Sequence, residues 1–140
     1  MIFEVLTSEQ TTNFLLIPEV WERAADDNSR REFDIPSSTM KLGAFVDGTL
    51  ASVALFSPFR DGWKLHFYVL RRFRLKHARE AIKSIMSAMH AEFIVYVAIP
   101  TLYREVINFA KRSGFRELEI EPATATIGGK TYDRVILWDS

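Results

Sequence analysis

Cysteine is absent from the 140 residues. That excludes disulfides, thiolate metal sites and cysteine nucleophiles, and it permits a reducing compartment. Net charge is absent as well, because 18 Lys and Arg balance 18 Asp and Glu. A dedicated nucleic-acid binder rests on excess positive charge, so that class is not expected. No apolar run approaches the roughly 20 residues that cross a bilayer. Met1–Thr7 is apolar but short, and Glu4 interrupts it, unlike a signal peptide. Repeats and low-complexity tracts are also missing. These absences lead to the expectation of one domain over residues 1–140, cytoplasmic and without a membrane partner.

Aromatic residues are abundant, with 11 Phe in a chain that is 48% hydrophobic, which suggests a sheet-containing core packed with rings. Positive charge is concentrated in one place. From Trp63 to Met86 the sequence reads as a buried strand, a basic turn and a helix, and the turn carries Arg71, Arg72, Arg74, Lys76, His77 and Arg79. Strand-to-helix turns suit anionic ligands because the first N–H groups of the helix are free and its dipole end is positive. A solvated basic face is the plainer alternative.

Ile2–Leu6 reads as a first strand, and Thr7 and Ser8 are N-cap types for a helix that follows. Phe14, Leu15, Ile17, Val20, Trp21 and Ala24 recur at helical spacing, with a break expected at Pro18. Asp26–Arg31 is polar. Lys41–Val46 and Thr49–Phe56 form a hairpin about Asp47-Gly48, Ser57-Pro58 ends its second strand, and Lys64–Leu70 follows the turn at Asp61-Gly62. From Ala78, residues Ala81, Ile82, Ile85, Met86 and Met89 make one helix face. Phe93–Ile99 is apolar enough for a strand covered on both faces. Pro100 or Thr101 then opens a helix with Leu102, Val106, Phe109 and Ala110 inward and Gly114 as its C-terminal cap. Phe115–Glu121 and Arg134–Trp138 close the order as two strands joined by a longer loop through Gly128-Gly129. The expected class is α+β, in the order β-α-β-β-β-α-β-α-β-β, with helices covering a mixed sheet.

Two motifs in this order resemble the GNAT acyltransferase superfamily. There a strand ends in V-x-P-x-[YF]-R-G-K-G-x-G, and Val69, Phe73, Arg74 and Lys76 fall in register with it. A later helix ends in Gly-Phe, matched by Gly114-Phe115. The register is closer still to GNAT-like proteins of bacteriophages: His66, Leu70, Phe73, Arg74, Ala78 and Ala81 match one part, and Ile99, Pro100, Arg104, Phe109, Ala110, Gly114 and Phe115 the other. The resemblance implies a twisted mixed sheet splayed between the Trp63–Leu70 and Phe93–Ile99 strands. It implies an N-acyltransferase that takes acetyl-CoA as co-substrate and an amine as acceptor, with no metal. The cofactor would lie along Val69, Leu70, Arg71, Arg74, Leu75, Lys76, His77, Ala78 and Arg79. His66 would act as the base, and backbone N–H groups near Val69–Arg71 would hold the oxyanion.

The departures from the pattern are specific. His77 and Arg79 stand where the family has glycines, the usual tyrosine acid falls at Ala110, and the usual asparagine falls at Tyr103. They imply a competing reading, a binding or virion-associated protein that keeps the fold without catalysis and meets phage or host proteins. His66 as an ordinary packed sheet histidine is the plain alternative to His66 as base. His77 and His90 lack partners at metal-ligand spacing, and Ser84 and Ser87 lack a His/Asp arrangement for a hydrolase. Tyr68, Tyr96, Tyr103 and Tyr132 are each explained by packing.

Overall fold

The computed structural model describes residues 1–25, 35–74, 76–89 and 93–139; the polar stretch expected at Asp26–Arg31, together with Leu75 and His90, lies outside them. In the first strand-to-helix junction β1 (Ile2–Val5) leads to α1 (Ser8–Leu15). Thr7 Oγ1 accepts the Gln10 N–H at 3.1 Å, and Gln10 Oε1 accepts the Thr7 N–H at 2.9 Å. This reciprocal cap satisfies two donors that the helix would otherwise leave bare. The helix stops before Pro18, which opens α2 (Pro18–Ala24) at a position where a missing N–H is harmless.

A meander follows: β2 (Met40–Val46), β3 (Thr49–Phe59) and β4 (Gly62–Val69). Asp47 and Gly48 both take positive φ, 50° and 80°, the two-residue turn whose twist suits a hairpin. β3 does not end at Ser57-Pro58 as expected but continues to Phe59, pairing Pro58 with Trp63 and Phe59 with Gly62. The β2–β3 ladder has already ended at Met40–Phe56. By alternation Pro58 faces that vacant edge, so its missing N–H breaks no bond.

The basic turn Arg71–Phe73 leads into α3 (Lys76–Met89), then β5 (Val95–Pro100), α4 (Arg104–Arg112), β6 (Arg116–Ile127) and β7 (Lys130–Asp139). Helix α4 starts at Arg104 rather than at Pro100 or Thr101, because residues 100–103 form a turn closed by the Tyr103 N–H on the Pro100 carbonyl at 2.9 Å. That later start rotates the inward face. Ile107 and Ala110 are buried, whereas Leu102 and Val106 are 43% and 37% exposed. The last two strands are longer than expected, and the tight turn at Gly128 and Gly129 (φ 59° and 76°) replaces a long loop.

Among the described residues seven strands form one sheet in the order β1-β2-β3-β4-β5-β7-β6, with only β4 and β5 parallel neighbours. The α+β class with a mixed sheet holds. Leu65, Val97, Val135 and Leu137 bury against Ile82, Ile85, Ile107 and Ala110 of α3 and α4. Val53 and Leu70, with half-buried Tyr68, bury against Phe14, Leu15 and Val20 of α1 and α2 on the other face.

Candidate active site

The parallel β4–β5 seam is short. It pairs Trp63 with Val95 and Lys64 with Tyr96, then stops. On its other edge β4 pairs with β3 through to Val69, and the Leu70 N–H bonds the Ala51 carbonyl at 2.9 Å. Donors alternate along a strand. Even-numbered residues of β4 therefore bond β3, while odd-numbered ones face β5, as the Trp63 N–H does when it meets the Ile94 carbonyl at 2.9 Å. Beyond the last bridge the N–H groups of Phe67 and Val69 face the gap with no strand opposite. Pro100, at the far end of β5, has no N–H to offer.

This gap is a cleft of about 400 Å³ lined by His66, Phe67, Val69, Ala98, Tyr103 and Phe109, among others. A second groove, about 850 Å³, runs between α3 and α4 past Arg79, Lys83 and Arg112. The two share Ile82, Phe109, Arg112 and Ser113, so they join between the middle of α3 and the last turn of α4. The larger groove is open and lies away from β4; the cleft is the place where backbone donors and a histidine converge.

Leu65 and Phe67 point to the α3–α4 face, and Lys64, His66 and Tyr68 to the α1–α2 face. The His66 ring stacks on Tyr68, with centroids 6.4 Å apart and planes 13° apart. Burial, followed by the nearby charges of Lys64 and Arg134, lowers its pKa to about 4. Burial also pushes the Tyr68 hydroxyl up to about 12. Both side chains are therefore neutral near pH 7.

The turn after β4 is more committed than its sequence suggests. The Arg71 N–H donates to Glu19 Oε2 at 2.6 Å, so a carboxylate from the first turn of α2 takes that donor. With Leu70 bonded to Ala51, the expected donor set near Val69–Arg71 reduces to Val69. His77 is buried, and its Nε2 lies 2.8 Å from Ser52 Oγ on β3. Its ring also meets Phe73 edge-on at 5.9 Å. The His77 side chain is thus turned into the protein rather than across the turn. Ala78 is buried and Arg74 half-buried, and both line the cleft. Arg71, Lys76 and Arg79 are exposed. Leu75 lies outside the described residues.

Glu19 and Ser52 were missed by sequence reasoning. Nothing local ties Glu19 to a residue 52 positions later. Ser52 did carry a signal, since a lone hydroxyl inside the run Ala51–Phe56 must find a partner once buried. Across the open end of the cleft Arg23 of α2 meets Glu105 of α4 at 2.7 Å and lies over the Tyr103 ring at 4.9 Å. Among the described residues no three His, Asp or Glu side chains are grouped to hold a metal, and no helix is long and apolar enough to cross a membrane.

No protein-family model matches the chain, and no curated protein matches it in sequence. Solved structures do match. An N-acetyltransferase from Staphylococcus aureus superimposes with a TM-score of 0.79 at 18% identity, over 99% of this chain and 96% of that one. A spermidine N-acetyltransferase variant from Vibrio cholerae gives 0.80 at 10% identity, over 99% and 94%. The smu.2055 protein of Streptococcus mutans gives 0.78 at 17% identity, over 99% and 98%. These matches are bacterial, and the resemblance to phage-encoded proteins rests on sequence register alone. Strand order, the short parallel seam and near-complete superposition agree: this chain has the GNAT N-acetyltransferase fold.

Proposed function

We propose that the chain is an N-acetyltransferase that moves an acetyl group from acetyl-CoA to an amine. The observation that carries this reading is the early end of the β4–β5 ladder, which leaves the Phe67 and Val69 N–H groups facing a cleft beside His66. The arm of coenzyme A carries two amides and ends in the thioester. Laid along β4, it would take the place of the missing strand and satisfy those donors. Its diphosphate would meet the first N–H groups of α3, with Arg74, Lys76 and Arg79 adding positive charge. The α3–α4 groove, with Arg79, Lys83 and Arg112 on its walls, would take the nucleotide.

In the reaction the acceptor nitrogen attacks the thioester carbonyl carbon from the α1–α2 face. The C–N bond forms as the C–S bond breaks. The Val69 N–H would hold the developing oxyanion. His66, neutral at pH 7, takes the proton that the nitrogen loses and passes it to the departing thiolate, directly or through water. Ala110 can supply no acid. The thiolate needs little help, since a thiol pKa of about 8.5 makes it an acceptable leaving group.

His77 or Arg79 filling the turn would support the competing reading, a fold retained without catalysis. His77 is bonded to Ser52 and Arg79 is exposed, so neither side chain gives it that support. Calorimetric titration with acetyl-CoA tests the proposal. Saturable binding is expected, and His66→Ala should keep the affinity while slowing acetyl transfer at least tenfold. No heat and no thermal shift at millimolar acetyl-CoA would sink the enzyme reading. Unchanged turnover would remove His66 from the mechanism.

A further inference from the structure

The His66–Tyr68 pair has more hydrogen-bonding capacity than acetyl transfer uses. Both side chains line the cleft from the same face of β4. Their ring centres are 6.4 Å apart, and neither ring makes a hydrogen bond with a described residue. Yet among the described residues no side-chain nitrogen or oxygen is both sealed from solvent and without a partner. The polar atoms of the two rings therefore stay open to the cleft. Burial pushes the Tyr68 hydroxyl up to about 12, so it keeps its proton and remains a donor.

The rest of the lining offers little to a second charge on the acceptor. Val20, Ala98 and Pro100 are apolar. The two carboxylates of the lining are engaged, Glu19 by the Arg71 N–H and Glu105 by Arg23. The guanidiniums of Arg23, Arg74 and Arg112 outnumber them, so a second ammonium would meet repulsion. Water can bond an open phenol. Once acetyl-CoA and an acceptor fill the cleft, water leaves, and a buried donor without a partner is costly. His66 meets the amine. Tyr68 then needs its partner from the acceptor.

We propose that the acceptor is an amine that also bears a neutral hydroxyl, which hydrogen-bonds the Tyr68 hydroxyl while the nitrogen meets His66. This rests on the acetyl-transfer reading and names its substrate class, with Tyr68 as the residue that sets specificity. A hydroxyl matches a phenol in both capacities, accepting its proton and donating to its oxygen. The reaction is unchanged. The amine nitrogen gains the acetyl group as the C–S bond breaks, and its proton passes through His66 to the thiol. The hydroxyl held by Tyr68 keeps its own proton throughout.

Three amines with the same four-carbon chain test this: 4-aminobutanol, pentylamine and putrescine, whose far ends are a hydroxyl, a methyl and a second amine. 4-Aminobutanol should exceed both others at least tenfold in kcat/KM. In Tyr68→Phe its advantage over pentylamine should fall towards one, through a raised KM for 4-aminobutanol. A second readout needs no turnover. The Tyr68 ring signals, followed by NMR without acetyl-CoA, should reach half-saturation at least tenfold lower in 4-aminobutanol than in pentylamine. That response in a protein that fails to transfer acetyl groups would sink the enzyme reading and keep the hydroxyl site. Equal use of 4-aminobutanol and pentylamine, a preference for putrescine, a ratio unchanged in Tyr68→Phe, or equal half-saturation by the two amines would overturn the proposal.

Discussion

The two ends of the β4–β5 seam are built from similar residues and behave differently. At the closed end the strands are bound together. The Trp63 N–H meets the Ile94 carbonyl, the Tyr96 hydroxyl donates to Asp61, and the Phe59 ring meets Tyr96 edge-on at 5.3 Å. Arg60 reaches over to Glu119 on β6. At the open end no backbone bond crosses, and the nearest tie is the exposed pair of Arg23 and Glu105. Both ends are rich in strand-forming side chains, so propensity does not make the difference. Backbone partners do. The closed end uses its donors to hold the sheet, and the open end leaves those of Phe67 and Val69 without a strand to bond.

The harshest way to break this contrast is to wedge the closed end apart. A Cβ on Gly62 would stand 2.1 Å from the Ile94 carbonyl oxygen, against backbone that cannot yield cheaply. Gly62→Val should cost about 3 kcal/mol or more, read as a lower urea midpoint. A stability unchanged by Gly62→Val would mean the closed end is not the clamp described.

The open end should announce itself through pH. Folded His66 stays neutral down to about pH 4, whereas an unfolded histidine takes its proton near 6.5. The unfolded chain thus binds the extra proton in between. Stability is full above about pH 6.5 and falls as the pH drops towards 4, by on the order of 3 kcal/mol from this group. His66→Phe should flatten that part of the profile, and an unaltered slope would show that the imidazole is not buried as described.

The turn should respond less. Ser52→Ala strands the buried His77 nitrogen and should cost roughly 1–2 kcal/mol. Adding His77→Leu should recover part of that loss, as denaturant titration of the three variants would show. The smallest effect belongs to the tie across the mouth. Arg23→Ala removes an exposed ion pair and should change stability by under about 1 kcal/mol, while altering the rate at which acetyl-CoA enters and leaves.

Much of the fold was legible because its signals are local. Asp47-Gly48 specifies a hairpin, Thr7 a cap, and the run Phe93–Ile99 a strand covered on both faces, which forms from Val95. Apart from the start of α4, which a local turn delays, the misread strand ends share one cause: each local signal was overridden by a partner strand. Pro58 stays in β3 because the strand it would have to pair with has ended, and β6 and β7 lengthen because they have each other. The splay follows the same rule. Nothing in Leu65–Val69 or Val97–Pro100 says that the two strands part; the family resemblance supplied that. Likewise, His77 in place of a glycine suggested an obstructed turn, and only the position of Ser52 across the sheet shows where the ring goes.

Backbone amide NMR during an acetyl-CoA titration tests the open seam most directly. The Phe67 and Val69 N–H signals should move and become protected from exchange, while Trp63, already bonded to Ile94, stays unchanged. Protection confined to surface amides, with Phe67 and Val69 unaffected at saturating acetyl-CoA, would contradict a cleft built to receive it.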